Sequence, residues 1–176
     1  MQDLLNKFIA QFTGYGIDYD HAYGAQCYDV IQEWNVDWLD NRFLPGDYAY
    51  QLLTKNPDQY ITFLNNSPTA HPEIGDIAVL KNAYNNVGGH TGVVVNHHTE
   101  GKSTDWVDLF EQNDPTGSVC HIKRYSYDYI SGWLRTKKQL APIPTGDDIL
   151  VNKIKTEIDS SDSPHDKITK IRAILA

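Results

Sequence analysis

The chain has 176 residues, of which 40% are hydrophobic and 22% charged, with a formal net charge of −8. This suits a soluble globular domain with a real core and room for a small appendage. The acidic balance argues against a nucleic-acid groove, which needs a basic patch, and against unaided binding to an anionic membrane or wall polymer.

The first predicted element is an amphipathic helix with Leu4, Leu5, Phe8, Ile9 and Phe12 on one face, ending near Gly14. It has no basic start followed by an apolar run, so it is not read as a signal peptide. Nothing in the chain reads as a membrane span. The expectation is a protein made and held in a cytoplasm until another route releases it. The two cysteines, Cys27 and Cys120, do not make a disulfide scaffold and fit a reducing compartment.

A polar loop follows to Gly24. A second helix is predicted to start near Cys27 and run through Val30, Ile31, Trp34 and Trp38. Residues 45–64 read as another short helix and a turn. The pattern then changes to short β-branched or aromatic segments bounded by Gly, Asn, Asp and Pro, over 76–81, 91–97, 104–111, 118–125 and 132–136. Helices followed by strands predict an α+β domain with N-terminal helices packed on an antiparallel sheet.

The domain is expected to occupy residues 1–140, with a linker over 141–147 that contains Ala141-Pro142-Ile143-Pro144. A helical appendage over 148–176 carries Ile149, Leu150, Ile154 and Ile158 on one stripe. Ser163 and Pro164 offer a second helix its start, with Ile168, Ile171, Ile174 and Leu175 following. Two small striped helices bury little alone. They are expected to dock on each other, on the main domain or on a second chain.

Cys27 is the candidate nucleophile. It stands at the start of a predicted helix, where unpaired backbone N–H groups and the helix dipole favour a thiolate. It needs a base. Among seven histidines, His90 sits in Gly88-Gly89-His90-Thr91-Gly92, at the mouth of a strand with glycines clearing space around it. A third group must hold the imidazole. Glu111 or Asn113, at the end of the following strand, can reach it if that strand lies beside the one beginning at His90. Cys120 is expected to face the core. A zinc set drawn from His97, His98, Cys120 and His121 is disfavoured, because adjacent strand residues point to opposite faces. The aromatics Tyr125, Tyr127, Tyr129 and Trp133 are read as groove lining or core.

These pieces together carry a resemblance. Cys27 in GAQCYDV, residues 72–80 as PEIGDIAVL, His90 in GGHTGVV and residues 110–113 as FEQN resemble, in order and at plausible distances, the CHAP family of cysteine, histidine-dependent amidohydrolases and peptidases. The resemblance covers about residues 14–138 and leaves the tail unexplained. It implies a papain-like (NlpC/P60-like) fold, peptidoglycan as substrate, and a bacteriophage endolysin or tail-associated wall hydrolase that acts at the cell wall after release from the host cytoplasm. It also implies the roles: Cys27 as nucleophile, His90 as base and then acid, Glu111 orienting His90, and Asn113 polarising or positioning the site. Gln26 or nearby backbone N–H groups would form the oxyanion hole.

Asp18, Asp20 and Asp29 surround Cys27 with like charge, which opposes a thiolate. Counted from Asp18, oxygen donors fall at Asp18, Asp20, Ala22, Gly24 and Asp29, which are positions 1, 3, 5, 7 and 12 of an EF-hand calcium loop. Ala22 and Gly24 offer only backbone carbonyls. Position 6 is Tyr23 rather than Gly, and position 12 is Asp rather than Glu. The resemblance also implies calcium in this loop. The expected cofactor is therefore Ca2+, and the expected partner is cell-wall peptidoglycan, with no nucleic acid and no membrane insertion. The rivals are a cysteine protease acting on proteins and a non-catalytic wall-binding module.

Overall fold

A computed structural model describes residues 1–55, 61–67, 70–81, 88–100 and 105–136. The linker and paired helices expected over 141–176 lie outside the described residues. Helix α1 spans Gln2–Phe12. Helix α2 spans Cys27–Gln32 and continues directly into a wider π-helical segment, Glu33–Trp38. The main-chain bond from Leu39 N–H to the Trp34 carbonyl closes that wider turn.

A 3-10 turn, Ala49–Gln51, leads into the short helix α3, Leu52–Lys55. Six strands follow: β1 (Ile61–Asn65), β2 (Ile77–Leu80), β3 (His90–His98), β4 (Trp106–Glu111), β5 (His121–Ser126) and β6 (Ile130–Thr136). They form one sheet in the order β1-β6-β2-β3-β4-β5, every neighbouring pair antiparallel. The α+β expectation therefore holds.

One element departs from the sequence reading. Within residues 45–64 the helix is followed by β1, an edge strand whose Ile61 pairs with Thr136 and whose Asn65 pairs with Gly132. Its sequence, ITFLN, has strand-forming residues but is short. Its pairing partner lies about seventy residues further on, so local pattern alone did not separate it from a turn.

Side-chain alternation sets the core. Ile77 and Val79 point to one face of β2 and join Leu5, Phe8, Ile31 and Trp34 from the helices. Ala78 and Leu80 point to the other face and join Val94, Leu109, Tyr125 and Trp133. β2 is thus buried on both faces, which is why it reads as a continuous apolar run. Phe8 packs edge-on against Trp38 and Phe110 and tilted against Trp34, with centroids 5.1–5.4 Å apart, fixing the helical layer on the sheet. Each such side chain contributes roughly 1.5–3 kcal/mol by leaving water. Among the described residues, no helix is long and apolar enough to cross a membrane.

Candidate active site

The site forms where the start of α2 meets the ends of β3, β4 and β5. Cys27 is the first residue of α2 and is half-buried. Its helix is capped by Asp29, whose Oδ2 accepts the Gln26 main-chain N–H at 2.7 Å. The Asp29 N–H in turn donates to the Gln26 carbonyl at 3.1 Å. Asp29 therefore satisfies a backbone donor just before the helix and so holds the turn that presents Cys27.

His90 opens β3 and is only 3% exposed. Glu111 ends β4 and is fully buried. The two strands pair directly, and His90 Nε2 lies 3.1 Å from Glu111 Oε2. With Nε2 engaged by Glu111, Nδ1 is the ring nitrogen left to face Cys27. Burial alone would lower the pKa of His90. Hydrogen bonds to Cys27 and Glu111, together with their charges, outweigh burial and raise it to about 9.

Gly92 explains how the strands come close enough. A Cβ there would stand 2.9 Å from the Glu111 Cβ and 3.0 Å from the Phe110 carbonyl oxygen. Glycine is required by that approach.

Asn113 makes no hydrogen bond to His90. It takes the left-handed conformation (φ 68°), donates its amide to Gln26 Oε1 at 3.0 Å, and accepts from the Gly117 N–H at 2.7 Å. The structure thus places Asn113 on the Gln26 side chain. The main-chain N–H of Gln26 is committed to Asp29, and its side-chain amide donates to the Tyr23 carbonyl at 3.0 Å.

Gln112 was not singled out by the sequence. It is fully buried. Its Oε1 accepts the Ile17 N–H at 2.8 Å, and its Nε2 donates to the Ile17 and Gln26 carbonyls at 2.6 and 2.7 Å. One side chain therefore ties both ends of the 17–26 loop to the end of β4. The only clue in the sequence is its position between Glu111 and Asn113.

Lys123 and Tyr125 share a face of β5 with His121. Tyr125 lies with its ring centroid 6.0 Å from that of His90 and donates to Asp114 Oδ2 at 2.8 Å. Lys123 Nζ is 2.9 Å from the same oxygen. Burial would raise the Asp114 pKa, but these two hydrogen bonds and the His90 charge hold it below the usual carboxylate range. Tyr125 and Trp133 are buried and serve as core, whereas Tyr129 is exposed.

The three aspartates come together. Among the described residues, Asp18, Asp20 and Asp29 form the one cluster of three or more potential metal ligands, with a ligand oxygen from each within 4.8 Å of the others. Asp18 Oδ1 is buried with no hydrogen-bond partner. Burial raises the Asp29 pKa, and the charges of Asp20 and Asp18 add to it against hydrogen bonds from Gln26 and Tyr19. Asp20 Oδ1 accepts the Ala22 N–H at 2.8 Å. Tyr23 and Gly24 have φ of 65° and 70°. Tyr23 thus adopts the left-handed turn for which an EF-hand uses glycine at this position. The donor set, three carboxylates with one oxygen unsatisfied, fits a hard cation that takes oxygen ligands.

Cys120 is buried beside Gln112, its Sγ 3.2 Å from Gln112 Oε1, and burial pushes its pKa up to about 12.

No family model matches the chain. The crystal structure of a wild-type endolysin, LysIME-EF1, matches 79% of this chain with a TM-score of 0.60 at 23% sequence identity. The match covers 65% of that endolysin's own length. In fold, this chain is similar to that endolysin: an α+β domain with its helices laid on an antiparallel sheet.

Proposed function

We propose that this chain is a peptidoglycan hydrolase of the CHAP type, cleaving an amide bond of the bacterial cell wall through a Cys27 thioester. The observation that carries the reading is the Cys27–His90–Glu111 alignment. A half-buried thiol at a helix start faces one nitrogen of a buried imidazole, and a buried carboxylate takes the other. The endolysin-like fold supports peptidoglycan as the substrate class.

In this mechanism Cys27 Sγ attacks the amide carbonyl carbon while His90 Nδ1 accepts the thiol proton. His90 then delivers that proton to the leaving amine, the C–N bond breaks, and a thioester remains. Water, deprotonated by His90, hydrolyses the thioester. Glu111 stabilises the imidazolium that forms twice in each turnover. The Cys27 main-chain N–H and the second N–H of the Gln26 amide would serve as the oxyanion donors, with Asn113 bonded to that amide's oxygen.

Calcium is part of the proposal. Asp18, Asp20 and Asp29, with the carbonyls of Ala22 and Gly24, would hold it. It would supply the positive charge that lets three carboxylates share one place beside the nucleophile.

The test is lysis of purified cell wall with mass spectrometry of the released muropeptides. Cys27→Ser should abolish release with the circular dichroism spectrum unchanged, and Cys120→Ser should retain it. The cut position distinguishes a muramoyl–L-alanine amidase from a peptide endopeptidase. Casein cleaved with wall untouched would favour a protein-directed cysteine protease. Wall binding without any release would favour the non-catalytic module.

A further inference from the structure

Glu111 faces two histidines. Its Oε2 lies 3.1 Å from His90 Nε2, and its Oε1 lies 3.0 Å from His121 Nε2. His121 is the residue directly opposite Glu111 in the β4–β5 register, so the sheet itself delivers it. The other ring nitrogen, Nδ1, lies 2.8 Å from the Val119 carbonyl oxygen.

Both nitrogens of His121 therefore face oxygen acceptors. A neutral imidazole satisfies one of them, and the doubly protonated ring satisfies both. Glu111 Oε1 is at ion-pair distance from His121 Nε2 but takes no aligned hydrogen bond. A wholly buried carboxylate oxygen without compensation is costly, and His121 is the group placed to compensate it.

The other charged and titratable groups around this centre are committed elsewhere. Lys123, on the same face of β5, pairs with Asp114, which Tyr125 also engages. Cys120 bonds Gln112. Cys27 faces His90.

We infer that His121 is a positioning residue: it clamps the rear oxygen of Glu111, so that the front oxygen stays aimed at His90. The inference rests on the reading of Cys27 and His90 as a reactive pair. Without the clamp, Glu111 would rotate to divide its charge differently, and the imidazole that accepts the Cys27 proton would lose its fixed direction.

The test uses Cys27 alkylation by iodoacetamide in the intact chain at one neutral pH, read by mass spectrometry. It needs no substrate, and Cys120 is too buried to compete. His121→Phe should slow alkylation about tenfold, the usual scale for losing a charge-assisted contact. His121→Gln, which keeps a donor of similar reach, should restore most of the rate. In a Glu111→Gln background His121→Phe should add little further loss, because the two act through one contact. A His121→Phe rate equal to wild type overturns the clamp. So does a tenfold loss repeated in full in the Glu111→Gln background, or a loss that His121→Gln does not restore. An unactivated Cys27 in the wild-type chain overturns the reactive pair and the clamp together. A chain that shows the expected alkylation pattern but releases no muropeptide keeps the clamp and discards only the peptidoglycan reading.

Discussion

The fold favours the charged form of His90, the form it takes on accepting the Cys27 proton. It titrates near 9 in the folded chain against a reference of 6.5. A raised folded value means the native state holds the proton more tightly than the unfolded chain. The stabilisation is complete below pH 6.5 and is lost as pH rises through about 9. The span amounts to about 3 kcal/mol at most. Urea denaturation of wild type should therefore show stability falling between pH 6.5 and 9.5. His90→Gln should flatten that part of the decline, and an equally steep decline in the variant would remove His90 as its source. His90→Ala should also lose wall lysis as fully as Cys27→Ser, with no further loss in the double variant, since the two residues act as a unit.

At the scale of elements, the approach of β3 to β4 decides whether Glu111 reaches His90. Gly92→Ala adds a methyl 2.9 Å from the Glu111 Cβ and 3.0 Å from a backbone oxygen. The backbone cannot yield cheaply, so the strands must part. The variant should lose roughly 1–3 kcal/mol of stability, the usual scale of overpacking. It should also lose lysis out of proportion to its drop in melting temperature. Lysis that tracks melting alone would mean the spacing serves packing only.

Elements also show what was legible in the sequence. The strands from 76 onward and both N-terminal helices follow from apolar periodicity and glycine punctuation, because those signals are local. β1 is not separable from a turn by local pattern, because its partner β6 is distant in sequence. Cys27, His90 and Glu111 stand out by residue type at element ends. His121 and Gln112 did not, because their importance comes from register across β4 and β5 and from bonds spanning the domain. By spacing Asn113 qualifies as a partner for His90 as well as Glu111 does, whereas its left-handed backbone turns it onto Gln26.

At the largest scale described, the acidic loop is linked to the turn before Cys27 through Asp29, which joins the aspartate cluster and also accepts the Gln26 N–H. Chelation should therefore lower both melting temperature and wall lysis. Calcium should raise melting with concentration, by about 2.7 kcal/mol at one hundred times its dissociation constant. Magnesium should substitute poorly, since it demands a smaller octahedral shell. Asp20→Ala should shift the calcium requirement upward. Unchanged melting and lysis in the chelated protein would leave the aspartates without a cation. Deleting residues 147–176 should leave activity on soluble muropeptides nearly intact, since every proposed catalytic group precedes them. Activity on whole cells is where the tail should matter. A truncated chain that has lost its circular dichroism signal would make those residues part of the domain's fold.

The Gln112 bracket bears on how the site comes into being. Its bonds to Ile17 and Gln26 span 95 and 86 residues. Contacts of such high sequence separation close late, since the chain entropy of a long loop must be lost before any bond compensates it. A ribosome releases Cys27 well before it has made the strand that bears Glu111 and Gln112, or the one after it. The growing polypeptide thus carries its proposed nucleophile through some eighty further residues of synthesis with neither the carboxylate that engages His90 nor the bracket that anchors the loop. The proposed site is completed in one late step, when β4 and β5 dock, and not gradually along the chain.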